Sequence, residues 1–322
     1  MIKKGRDDIT RTDPPQGNVP TPNAEINAPT PDADFAPADH AIDGDSVNKR
    51  LIGRKFDGDS VNQFKEFDPI TDVPSNPFIF LVGVRRQGKT ETVLHMLRKW
   101  HTVKRWDTVI VVSQTLSGYE DYVPANHQYR DLGAIPTIIE RCQDVAEYNA
   151  NQLEAQDMVR QSTLLILDDV IGDPKELRQL GSVLQKLAVQ GRHIHRDDPH
   201  PTNEFGTILI SQRATIIPPV IRTNSDLIIS SRMSNRRDRT TLIEEALTMS
   251  SDRNGLNEAR RVFDTVTMSK AYRFIVIALH IATRLTHRDY IMFSDSDPSA
   301  QPVRLFGTED DWRTKKERVT FS

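Results

Sequence analysis

The 322-residue sequence predicts an α/β protein: a central, mostly parallel β-sheet flanked by helices. Three observations predict it. From residue 77 onward, short apolar runs alternate with helix-like segments. The runs are apolar throughout, as in strands buried on both faces, and do not alternate with polar residues. One strand-to-helix junction also carries a glycine-bounded loop, Gly83-Val84-Arg85-Arg86-Gln87-Gly88-Lys89-Thr90, that matches G-x-x-x-x-G-K-[ST] in full.

The elements follow in order. Phe78-Ile79-Phe80-Leu81-Val82 is the first strand, near 78–83, and its helix runs near 89–101, where Val93, Leu94 and Leu97 recur at helical spacing. Thr108–Ser113 is a second strand. Residues 134–160 read as mostly helical. Thr163–Leu167 is a third strand, followed by a helix over about 174–190. Thr207–Ser211 is a fourth strand and Leu227–Ser230 a short fifth. Two helical stretches are expected near 240–249 and 254–266, then a strand pair at 272–280 and 288–294.

Residues 1–70 are expected to be a disordered or extended N-terminal arm, and 71–322 an ATPase domain with a C-terminal helical and strand-pair extension. Residues 1–40 are rich in Pro, Asp, Asn, Thr and Ala, and such a composition buries too little apolar surface to offset chain entropy. Phe56, Phe64, Phe67 and Ile70 suggest that 50–75 begins to pack on the core. Asp43-Gly-Asp-Ser-Val-Asn48 recurs as Asp57-Gly-Asp-Ser-Val-Asn62. A Ca²⁺ loop of the EF-hand type needs Gly at its sixth position and Glu at its twelfth, and neither copy has them. A local duplication is the better reading.

Composition removes several classes. Hydrophobic residues make up 37% of the chain and mean hydropathy is −0.51. No apolar stretch approaches the roughly 20 residues that span a bilayer, so no membrane partner is expected. The N-terminus has basic residues but no apolar core of a signal peptide, so the chain is not expected to be secreted. Cys142 stands alone, which rules out a disulfide within the chain and fits a reducing compartment. Net charge is −3. Residues 1–80 hold 9 Lys+Arg against 14 Asp+Glu, and the remainder holds 33 against 31. Any DNA contact must therefore come from a local basic patch.

The chemistry sits at strand ends. In a P-loop, backbone N–H groups and the helix dipole cradle a polyphosphate. Gly83 through Thr90, with Glu91 beside them, form the expected ATP-binding set. Lys89 is expected to reach the β- and γ-phosphates and the Thr90 hydroxyl to ligate Mg²⁺. Leu164-Leu165-Ile166-Leu167-Asp168-Asp169 reads as a buried strand ending in acids, a Walker B strand. Asp168 would hold Mg²⁺ through water, and Asp169 would orient the attacking water as general base. This places the chain in the additional-strand (RecA-like) class of P-loop NTPases. In that class the strand between the P-loop and Walker B strands ends in a polar sensor, a place that Gln212 suits. The competing reading of the two acids is a pair of solvated caps.

Arg222, in Pro218-Pro219-Val220-Ile221-Arg222-Thr223-Asn224-Ser225-Asp226, is a candidate arginine finger. Arg232, Arg236, Arg237 and Arg239 form the most basic local patch, readable as a DNA-phosphate contact or as a solvated surface cluster. His193 and His195 lack an acid or Cys partner set for metal. Arg192 is either a functional group or a solvated loop charge.

Taken together, Gly83–Thr90, Val111-Val112-Ser113, Leu167-Asp168-Asp169, Gly191-Arg192-His193, Ile210-Ser211-Gln212 and Ile221–Asp226 resemble the genome-packaging ATPases of poxviruses, giant viruses and related DNA viruses, within the FtsK–HerA superfamily. The similarity spans roughly 77–295. It implies a homo-oligomeric ring that drives double-stranded DNA into a capsid. It also implies a capsid-protein partner, a finger acting between subunits, and a place in the host cytoplasm, virus factory or virion. A cellular-type DNA pump or helicase would carry the same residues. A GTPase switch would need an Asn-Lys-x-Asp motif, which is absent, and a small-molecule kinase would not require Gln212 and Arg222 in this order.

Overall fold

Each apolar run of the sequence becomes a strand in the computed structural model, which describes residues 61–116, 118–169, 174–195, 198–247, 253–281, 287–295 and 304–313. The strands are β1 (Lys65–Glu66), β2 (Phe78–Val82), β3 (Thr108–Ser113), β4 (Gln128–Tyr129), β5 (Thr163–Asp168), β6 (Phe205–Ser211), β7 (Leu227–Ser230), β8 (Arg273–Ala278) and β9 (Ile291–Asp295). They form one nine-stranded sheet in the order β1-β9-β8-β7-β2-β6-β5-β3-β4. Every neighbouring pair is parallel except β7–β8 and β8–β9, so β8 alone runs against the rest among the described strands. The expected strand pair at 272–280 and 288–294 is this antiparallel β8–β9 unit.

All residues of β2, β5, β6 and β7 are buried, as strands covered on both faces must be. Their register aligns the strand ends. Val82 lies opposite both Ser211 and Ser230, and Asp168 lies opposite both Ser113 and Ile210. The P-loop, Asp168, Asp169 and Gln212 therefore lie at strand C-termini along one side of the sheet, where open α/β sheets place ligands.

The helices include α1 (Lys89–Thr102), α2 (Ala134–Ala150), α3 (Pro174–Gln190), α4 (Pro219–Thr223), α5 (Arg236–Leu242) and α6 (Arg253–Met268), with short ones at His287–Tyr290 and Glu309–Arg313. α1 buries Val93, Leu94, Met96, Leu97 and Trp100, its i, i+3, i+4 stripe. α2 stops ten residues short of the expected 160. Its penultimate residue, Asn149, is wholly buried. The side chain donates to Val159 O at 2.8 Å and accepts from Val159 N at 2.7 Å, drawing the following loop back against the helix end. α5 is followed by a π-helical turn, Ile243–Leu247.

The domain also begins earlier than residue 71. β1 pairs with β9, Phe64 and Phe67 are buried in the core, and Phe67 N donates to Phe293 O at 2.8 Å. The indole of Trp100 donates to Pro69 O at 2.8 Å and meets Trp106 edge-on at 5.8 Å. Arg105 stacks over both rings and binds Val73 O and Glu204. This cluster fastens the entry segment to α1. The arm through Ser60 lies outside the described residues, and with it the first repeat copy and most of the second.

Candidate nucleotide site

The P-loop joins β2 to α1 through a tight path. Gly83 N donates to Ser211 O at 3.1 Å, and a Cβ at Gly83 would lie 2.2 Å from the Ser231 hydroxyl. A side chain there would force Ser231, just after β7, to move aside. Gly88 has φ 84° and Arg86 φ 61°, both left-handed. Glycine adopts that region freely, whereas an arginine there is strained, a feature that clusters at ligand sites. Gly88 caps α1 with no side-chain hydrogen bond, so no capping side chain covers the first N–H groups of the helix. The Lys89 ammonium donates to Val84 O at 3.3 Å, curling back over the loop. Burial lowers its pKa, a tendency that Asp169 and Asp168 oppose. The Glu91 carboxylate turns toward Arg98 at 3.6 Å, leaving only its backbone to face an anion.

The acids take different surroundings. Asp168 is buried, and burial together with the neighbouring Asp169 pushes its carboxyl up to about 6. Asp169 follows β5 with φ 49°, a left-handed conformation that Asp tolerates better than most residues. Its carboxylate accepts a hydrogen bond from Gln212 Nε2 at 2.8 Å. The Gln212 amide oxygen in turn accepts from Arg85 Nε at 3.1 Å. β6, the strand before Gln212, lies between β2 and β5 as expected. Lys89, Asp168, Asp169 and Gln212 thus converge, and Arg85 links the P-loop to the acids.

Arg222 does not join them. It is 4% exposed, not projecting from the surface. Its guanidinium binds Glu245 of the π-turn at 2.5 and 2.7 Å and also donates to Ala214 O at 3.0 Å and to Ile217 O. The expected arginine finger is therefore an internal clasp. The reason is local: the segment after β6 turns the Ala214 and Ile217 carbonyls toward one place, and a planar five-donor group binds both together with one carboxylate. Asp238 adds a second clasp on that segment. It accepts from Thr215 N at 2.8 Å and is itself placed by the Asn235 cap of α5.

Arg232, Arg236 and Arg237 are exposed beyond the end of β7, whereas Arg239 is committed to Asp264. Arg192 and His193 are exposed. His195 is buried against Asp198 at 3.3 Å, where burial lowers its pKa. No group of three metal-ligating side chains occurs among the described residues.

Sequence reading missed one residue of the site. Tyr119, in the loop after β3, is wholly buried and donates to Asp168 Oδ2 at 3.0 Å. No motif announces it, because its partner lies 49 residues away.

With β6 between β2 and β5, the chain has the strand order of the additional-strand P-loop NTPase fold. Among solved structures the chain is similar to the genome packaging NTPase B204 from Sulfolobus turreted icosahedral virus 2. The two are 14% identical with a TM-score of 0.45, over 73% of this chain and 100% of that one. It is also similar to the pCW3 conjugation coupling protein TcpA, at 10% identity and a TM-score of 0.45 over 79% of this chain and 73% of that one. A third is the cytoplasmic domain of the Thermomonospora curvata type VII secretion ATPase EccC, at 11% identity and 0.39, over 68% and 25%. No protein-family model matches the chain, and no curated protein matches it. No described helix is long and apolar enough to cross a membrane.

Proposed function

We propose that the chain is a Mg²⁺-dependent ATPase that moves double-stranded DNA, working as a homo-oligomeric ring that packages a genome into a capsid. The observation that carries the ATPase reading is the hydrogen-bonded line Arg85–Gln212–Asp169 beside Lys89. A P-loop, a sensor amide and a second acid meet where a γ-phosphate would sit.

The donor set fits Mg²⁺. It offers a hydroxyl from Thr90 and a carboxylate from Asp168, hard oxygen donors without sulfur or imidazole. Such donors suit a cation held by one or two carboxylates and substrate phosphates. The burial that raises the Asp168 pKa makes a nearby positive charge favourable. When bound, Mg²⁺ would neutralise charge developing on the β- and γ-phosphate oxygens.

The chain's own groups do the rest. The uncapped start of α1 and the Lys89 ammonium bind phosphate oxygens. Asp169 takes a proton from the attacking water, and Gln212 holds that carboxylate in place. Arg85 of the P-loop holds the Gln212 amide oxygen from the other side.

The DNA-moving part of the proposal rests on the sequence resemblance and on exposed Arg232, Arg236 and Arg237, which extend from the end of β7, next to the P-loop strand. ATP turnover by the purified protein, measured with and without double-stranded DNA over a salt series, tests it. Stimulation that declines with salt is expected, because phosphate contacts release counterions. Turnover indifferent to DNA would leave an ATPase or switch and remove the motor. No turnover and no ATP binding would remove both.

A further inference from the structure

The loop joining β3 to β4 places a tyrosine hydroxyl between the two protein groups expected at the cation. Tyr119 donates to Asp168 Oδ2 at 3.0 Å, and the same hydroxyl lies beside the Thr90 side chain. We propose that Tyr119 is a positioning residue for the divalent cation, setting its affinity by orienting Thr90 and Asp168. The inference rests on the Mg·ATP reading above and adds a residue to it.

The chemistry of the three oxygens supports a directed chain. A hydroxyl that ligates a cation must turn a lone pair to it and send its proton elsewhere. Tyr119 is the acceptor to which the Thr90 hydroxyl can donate. The phenol in turn donates its own hydrogen bond to Asp168 Oδ2, with no proton transferred. That bond orients the carboxylate, leaving the other oxygen, Oδ1, for the cation or its water. Ligating carboxylates are commonly held by such outer partners.

The tyrosine is held independently of these bonds. Its ring is 0% exposed and part of the hydrophobic core. Its carbonyl accepts from Tyr122 N at 3.0 Å and Val123 N at 2.9 Å, closing a turn around it. Arg98 of α1 donates to the Tyr122 hydroxyl at 3.3 Å and lies over its ring, tying the turn to the P-loop helix. Gly118 has φ 98°, and a Cβ there would come within 3.1 Å of Thr90 Cγ2. The loop therefore rests directly on Thr90, and its placement is a property of the core.

Tyr119→Phe removes the hydroxyl and keeps the ring. The test is Mn²⁺ titration, followed by electron paramagnetic resonance, of wild-type and Y119F protein saturated with a non-hydrolysable ATP analogue. Analogue affinity in EDTA and the melting temperature are measured alongside. Mn²⁺ affinity should drop roughly 10–100-fold, with metal-free analogue affinity within about twofold of wild type, a split that general loss of packing would not produce. Unchanged Mn²⁺ affinity overturns the proposal. So does tighter binding, which would make Tyr119 a competitor for the cation's place. Should Y119F fail to fold, Gly118→Ala pushes the loop against Thr90 with the phenol intact. Weaker Mn²⁺ binding is again expected, and no change overturns the idea. A wild-type protein that binds neither analogue nor Mn²⁺ overturns the nucleotide-site reading itself, whereas normal wild-type binding with an indifferent Y119F overturns only the role of Tyr119.

Discussion

Asp168→Asn should make the protein more stable when neither metal nor nucleotide is present. Burial, with Asp169 beside it, pushes the Asp168 carboxyl from 3.8 up to about 6, although the Tyr119 hydroxyl and Lys89 pull the other way. A displacement of about two units, at 1.36 kcal/mol each, corresponds to about 3 kcal/mol. The sign follows from linkage. The folded pKa lies above the unfolded one, so the folded state holds this proton more tightly. That relative stabilisation is complete below about pH 4 and is lost as pH rises through about 6. Above that, ionised Asp168 costs the fold about 3 kcal/mol, and a neutral Asn does not incur this cost. Asn also keeps a carbonyl oxygen to accept from Tyr119. Urea unfolding in EDTA across pH 4–8 reads the difference between the two proteins. Near pH 4 it should be small, and by pH 8 D168N should lead by about 3 kcal/mol. A difference that stays flat with pH would refute the reasoning, because it would mean that Asp168 titrates alike in both states. The trade is one that functional sites make: a carboxylate held where it is uncomfortable binds a cation more readily.

Asp169→Asn should bind Mg·ATP yet turn it over about 10²–10⁴-fold more slowly, because an amide cannot take a proton from water; near-normal turnover in steady-state assays would move the base elsewhere. Arg222→Ala should destabilise the fold by about 3–5 kcal/mol, nearer the lower figure because Glu245 is partly exposed. Mixing it with Lys89→Ala protein should restore no hydrolysis, and recovery would bring back an arginine shared between subunits. Cys142 is buried and its thiol is pushed up to about 11, so a disulfide reagent at pH 8 should label native protein at least about 100-fold more slowly than urea-unfolded protein; equal rates would show that this face of α2 is not packed against the core.

Motif reading is strongest where the expected chemistry is local. The P-loop needs a fixed run of residues because one turn of backbone must wrap a phosphate, so Gly83 to Thr90 declare themselves. Asp168 and Asp169 declare themselves because an apolar run ending in two acids has few other uses. The place of Gln212 was legible through strand order, since the strand before it, β6, lies between β2 and β5. Arg222 was misread because a lone arginine after the sensor strand carries no local sign of its partners. Glu245, which neutralises it, lies on a turn beyond β7.

The sequence by itself determined the parallel core, the phosphate loop and the acids, because apolar period and a contiguous motif are short-range properties. Only the tertiary structure decided that α2 ends at Ala150, that β1 extends the sheet, and that Arg222 is an internal clasp. It also decided that Tyr119 stands between Thr90 and Asp168. Each of these depends on pairs far apart in the chain. A buried donor takes whichever acceptor the packed core brings within about 3 Å, and no local pattern encodes that choice.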